Sequence, residues 1–237
     1  MKTQYVVAAV ILVALLLSYF LRRAEPSKGL EPEPIKIDKP ARKKVSVDAT
    51  PDYPVPFGYK CQWLAVTTGD TQAVVEAIQL QELEIANWST GVDAAYEGHY
   101  FVSPPIQGWT LVINALMPDI TGAESPSPLT LIDELSNRFG EAYYFGTHRV
   151  VDYHAWAKSV NGKLVRVYGC LGETFINEGA ISKEEHDYHM IFTGLDVEEP
   201  HLPSEEDVLL IAKEWTVDPQ MEEGEYEAGT GFVGTLK

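Results

Sequence analysis

Asp152 and His154 stand two apart in RVVDYHAWAKS, the spacing that sets both side chains on one face of a β-strand. His148 falls on the same alternation. A carboxylate beside an imidazole is the orienting half of a nucleophilic or general-base site. No nucleophile accompanies the pair in a recognisable setting, and no G-x-S-x-G occurs. An ion pair or hydrogen bond on a half-solvated sheet is the commoner role for such residues. The catalytic alternative, a hydrolase-like enzyme, requires His148, Asp152 and His154 to line one concave pocket. A second group, His186, Asp187 and His189 after Glu184 and Glu185, has one-turn helical spacing and can supply ligands to a divalent metal. It lacks H-E-x-x-H, and in an acidic stretch such spacing arises by chance. No P-loop, GxGxxG, EF-hand loop or paired CxxC is present, so the chain is expected to use no cofactor or metal. Trp88, Trp109 and Trp156 are the binding candidates, because tryptophan anchors interfaces and the first two sit in polar, loop-like stretches. Cover for a core is the competing role of all three. Asn87-Trp88-Ser89 matches a glycosylation pattern that matters only in a secreted eukaryotic protein.

The element that must position the Asp/His pair is a hairpin. Asn161-Gly162 between two β-rich runs signals a two-residue type I′ turn. A simple two-residue turn pairs Val160 with Lys163, Lys158 with Val165, Trp156 with Val167 and His154 with Gly169. Read as one continuous strand, residues 148–156 then show His148, Asp152, His154 and Trp156 on one face. Cys170 falls on the other face, against Tyr153. The only other cysteine is Cys61, and two are too few for a disulfide framework.

The 237 residues carry a net charge of −17, unevenly placed. Residues 1–50 hold nine Lys/Arg against five Asp/Glu, and residues 51–237 hold nine against thirty. A body this acidic repels phosphate backbones, so nucleic acid is excluded as a partner, and basic partners or plain solubility are favoured. An apolar content of 45% with five Trp is ample for a packed core.

Residues 5–21 form an uncharged apolar run that ends at an aromatic border followed by Arg22-Arg23. No small-x-small cleavage site follows. The expectation is an uncleaved single-pass transmembrane anchor at 1–23. Basic residues from Arg22 to Lys44 place the following domain on the cytoplasmic side, with the opposite topology left open. Residues 24–56, with seven prolines among charges, read as an extended linker.

The globular domain is expected over 57–219. Its elements are a strand at 59–68, a helix from Thr71 to Leu80, the residues Leu83, Ile85, Ala86 and Trp88 leading into a turn, and a short helix capped by Ser89. Strands follow at 100–103 and 109–115, then a helix at 129–139 ended by Gly140, and then the hairpin with a short strand before it. An edge strand at 175–177 and helices capped by Ser182 and Ser204 complete the series. Hairpin-linked strands imply an α+β fold, a mostly antiparallel sheet with helices on one face. Residues 220–237, acidic and Gly-rich, read as a mobile tail.

The stretches Gly91–Gly98, Ser103-Pro104-Pro105, Gly108-Trp109-Thr110, Phe145–Val150, Tyr153–Ala157 and Glu205–Val208 resemble an uncharacterised family of bacterial proteins over about residues 59–219. The resemblance implies a bacterial single-domain protein and carries over no activity or site. The expected function is therefore binding: a membrane-anchored acidic domain that recognises a basic protein partner, as an immunity protein does. A structural envelope component is the remaining alternative.

Overall fold

β1 (Gln62–Val66, QWLAV) buries every residue, because it has a hydrogen-bonded strand on each side and a hydrophobic layer on each face. It pairs antiparallel with β4 (Thr110–Asn114) and with β5 (Glu141–His148). The remaining strands are β2 (Gln81–Asn87), β3 (Tyr100–Val102), β6 (Tyr153–Val160), β7 (Lys163–Leu171), β8 (Glu173–Gly179) and β9 (Thr230–Thr235). Together they make one nine-stranded sheet in the order β2-β9-β3-β4-β1-β5-β6-β7-β8. Every pairing is antiparallel, as expected for an α+β protein. This computed structural model describes residues 45–122, 127–194, 196–198, 200–222 and 224–236. The anchor expected at 5–21 and the linker as far as residue 44 lie outside the described residues. Among the described residues no helix is long and apolar enough to cross a membrane.

Strand alternation sorts the core into two layers. Trp63, Phe145, Trp156 and Tyr168 point to one face, where α2 (Trp88–Tyr96) and α5 (Glu205–Trp215) supply Val92, Ala95, Val208 and Ile211. Leu64, Val66, Tyr144 and Val167 point to the other, under α1 (Thr71–Ala77) and α3 (Pro128–Phe139) with Val74, Val75, Ile132 and Leu135. The expectation of helices on one face is thus corrected: both faces are covered. Central strands with no polar alternation, such as QWLAV and TLVIN, require cover on both sides.

Three further boundaries differ from the sequence reading. The residues expected only to lead into a turn belong to a strand: β2 runs to Asn87, and its outer half is exposed, which removes the alternation that marks a strand. Asn87, rather than Ser89, caps α2, its side chain accepting the Thr90 N–H at 3.1 Å. The stretch 45–56 belongs to the domain. Val45, Val47 and Val55 pack on the first core layer, and the Asp52 carboxylate accepts the Trp88 and Ser89 N–H groups at the start of α2.

The end of the expected mobile tail is instead a strand, β9 (Thr230–Thr235), inside the sheet. β9 lies between β2 and β3. Its glycines answer to close approach: a Cβ on Gly231 would run into the Val102 carbonyl, and one on Gly234 into that of Gln81.

The short helix α4 (Lys183–Asp187) is held to the sheet by a buried ion pair. Glu185, fully buried, accepts from Arg166 Nε (2.9 and 3.0 Å) and Nη2 (2.6 Å), from the Trp156 indole (3.0 Å) and from the Ser182 N–H (2.9 Å). Arg166 Nη1 donates in turn to the Val167 and Glu178 carbonyls and to Asn177 Oδ1.

Truncation after Pro219 removes β9 and leaves β2 and β3 without their shared partner; far-UV circular dichroism and amide dispersion of the shortened chain will show loss of the native fold. Glu185→Gln leaves the Arg166 guanidinium buried without its counter-charge and lowers unfolding free energy by about 3–5 kcal/mol, read from the urea midpoint, whereas Glu185→Gln with Arg166→Met recovers part of that loss.

Candidate functional site

The hairpin turn forms as predicted, with Asn161 at φ 50° and Gly162 at φ 75°, the left-handed pair a type I′ turn needs. Its register does not continue as a simple ladder. A bulge shifts the pairing between Lys158 and Ser159: Ser159 faces Leu164, but Lys158 faces Arg166 and Trp156 faces Tyr168. One residue of slip exchanges the faces of β7. Cys170 therefore stands directly across from His154 on the α2/α5 face, and not against Tyr153 as the two-residue turn alone implies.

A lateral row of polar side chains results. Thr147 on β5 pairs with His154 on β6, which pairs with Cys170 on β7. The start of α5 closes over it. The Thr147 hydroxyl donates to Glu205 Oε2 at 3.1 Å and lies 2.9 Å from His154 Nδ1. A hydroxyl carries one hydrogen, so the hydrogen on the second contact belongs to Nδ1. Glu205, 4% exposed, also accepts the Lys60 N–H at 3.0 Å and a contact from Arg149 at 3.4 Å. Burial lowers the His154 pKa below 6.5 against the opposing pull of Glu205 and Asp152, so its imidazole is neutral at pH 7. Burial also pushes the Cys170 thiol up to about 11 and the Cys61 thiol up to about 12. Thiols this basic are protonated and poor nucleophiles near neutrality. Cys61 and Cys170 are both free, and three strand spacings between β1 and β7 keep them from bridging.

The Asp/His constellation is not assembled. β5 ends at His148 and β6 begins at Tyr153, so residues 149–152 form a turn. That turn breaks the alternation and sends His148 to the α1/α3 face, away from His154. Asp152 sits in the turn at φ 51° and acts on His154 only through its charge.

Trp156 is fully buried, its indole committed to Glu185. Trp88 is buried at the first position of α2, edge-on to Phe101. Trp109 is half-buried and edge-on to Tyr143, whose ring also meets Trp215. Around Tyr143 the surface gathers charge: Lys158 Nζ lies 5.0 Å over the ring and 3.8 Å from Glu141, and Glu184 accepts from the Trp215 indole. His186 and His189 are exposed, and no group of three or more metal-capable side chains occurs among the described residues.

Sequence reading missed Thr147, Glu205 and the Arg166–Glu185 pair. Glu205 looked like an ordinary first-turn acid of α5, and no local signal marks it as buried. Ser182 was legible as a helix cap, but that the Glu185 of its capping box is also the partner of an arginine on β7 is a matter of tertiary contact alone.

No family model matches the chain, and comparison with curated proteins and with solved structures returns no match.

A base whose folded pKa is lowered binds fewer protons folded than unfolded, so its contribution to stability is present above pH 6.5 and is lost as pH falls below it. Urea titrations between pH 7.5 and 5 will show falling stability, with a shallower slope in His154→Gln. Neither thiol will react with iodoacetamide at pH 7.5 in the folded protein, and both will react in urea, as mass spectrometry will show.

Proposed function

We propose that this chain is a binding domain, tethered to a membrane by residues 5–21, whose acidic surface takes a basic protein partner, as an immunity protein takes its target. The observation that carries this reading is how the few cations are used. Arg149, Lys158, Arg166, Lys183 and Lys213 already face carboxylates of their own chain. Exposed acids such as Glu206, Glu214, Glu222, Glu225 and Glu227 outnumber the cations that remain among the described residues. Such a surface steers a cationic partner inward and repels anionic ones.

The neighbourhood of Trp109, Tyr143 and Trp215 supports the same reading in miniature. There an ammonium, that of Lys158, is held between an aromatic face and a carboxylate, the contact a lysine or arginine of a partner would seek. The hydrolase alternative has less behind it: Asp152 does not bond His154, and the thiol facing that imidazole is protonated.

A partner captured on the full-length protein at low salt will be basic, and association will collapse at about 0.5 M salt, where the screening length is only a few ångströms. Reversing Glu206 and Glu214 to lysine will slow association by roughly tenfold with little change in dissociation, measured by surface plasmon resonance. Association that is indifferent to salt would sink the charge argument.

A further inference from the structure

Buried hydrogen-bonding groups with no other use meet at the start of β1 and the end of β5, on the α1/α3 face. Gln62 is 8% exposed and its Oε1 has no partner. His148 Nδ1 is buried and has none either. The Tyr144 and Tyr153 hydroxyls lie 2.9 Å apart, so one hydrogen serves the contact between them, and the Tyr153 oxygen accepts the Ile120 N–H at 3.1 Å. The second phenolic hydrogen has no acceptor among the described residues.

The ladder places these groups around one spot. Gln62 lies opposite Gly146, and Tyr144, Gly146 and His148 succeed one another on the same face of β5. Diagonal neighbours on a sheet face are about 7–8 Å apart, within reach of side chains as long as these. Gly146 contributes no side chain, and a Cβ there would run into the Tyr144 hydroxyl and crowd the Tyr153 ring.

We propose that Gln62, His148 and the tyrosine pair, whose Tyr144 hydroxyl packs over Gly146, hold one internal water molecule among their polar ends. The occupant must donate to an amide oxygen and accept from a phenol. It must also meet Nδ1 as donor or acceptor, according to which imidazole nitrogen carries the hydrogen. A metal cation or an ammonium cannot accept, and a simple anion cannot donate. Water satisfies every requirement with either imidazole tautomer, and three partners is the usual number for a buried water. Bound there, it ties the 117–120 segment, through Ile120 and Tyr153, to the central strand.

A high-resolution crystal structure of the full-length protein tests this directly. The expected result is one water within hydrogen-bond distance of Gln62 Oε1, His148 Nδ1 and one of the two hydroxyls. Side chains that pair with one another instead, or density too large for water, would overturn the assignment. An independent readout uses Gln62→Leu and His148→Leu. Each alone strands the remaining groups and raises the unfolding constant about tenfold, and the double substitution does little further harm because the two share one bridge. Single effects that simply multiply would also overturn it.

Discussion

A buried carboxylate needs every lone pair occupied, and Glu185 meets that demand by drawing four parts of the chain to one point. Arg166 comes from β7, Trp156 from β6 and the Ser182 N–H from the start of α4, while the far side of Arg166 engages Asn177 and Glu178 of β8. The net energy of such a pair is small, because desolvating two ions offsets most of their attraction. What it supplies is selectivity among arrangements. Any register that leaves Arg166 or Glu185 alone in the core costs several kcal/mol.

That selectivity bears on the hairpin. The Asn161-Gly162 turn is compatible with a ladder in which Val165 faces Lys158, and that ladder turns Arg166 and Cys170 to the α1/α3 side. The bulge after Lys158 puts Arg166, Tyr168 and Cys170 on the α2/α5 side, where Glu185, Trp156 and His154 lie. Trp156 and Tyr168 stack with centroids 4.5 Å apart as a consequence. The ion pair and the aromatic stack act in the same direction, so a single slipped residue determines the face of a whole strand.

The polar row below the start of α5 follows from the same geometry. Thr147, His154 and Glu205 satisfy one another, and Lys60 and Arg149 complete the carboxylate. The row resembles a catalytic arrangement in composition but not in state: its imidazole is occupied at Nδ1 and its neighbouring thiol keeps its proton. It serves as a clasp between the sheet and α5. The acid excess remains on the surface outside these internal pairings, and the binding role proposed above rests on it.

Local chemistry in the sequence determined a good part of this. The Asn-Gly turn, the Ser182 and Ser204 caps, the glycine that ends α3 and the apolar runs of β1 and β4 each depend on residues within a few positions of one another, and each was legible. The α+β class followed from them. Only the tertiary structure decided which face Cys170 and His148 take, because a bulge and a four-residue turn reset an alternation that no neighbouring residue records. It alone decided that Gly231 and Gly234 belong to a strand, since their small size answers to carbonyls of β3 and β2 far away in the chain. Burial of Glu185 and Glu205 was equally out of reach, for a charge is driven inward only by partners that folding brings to it.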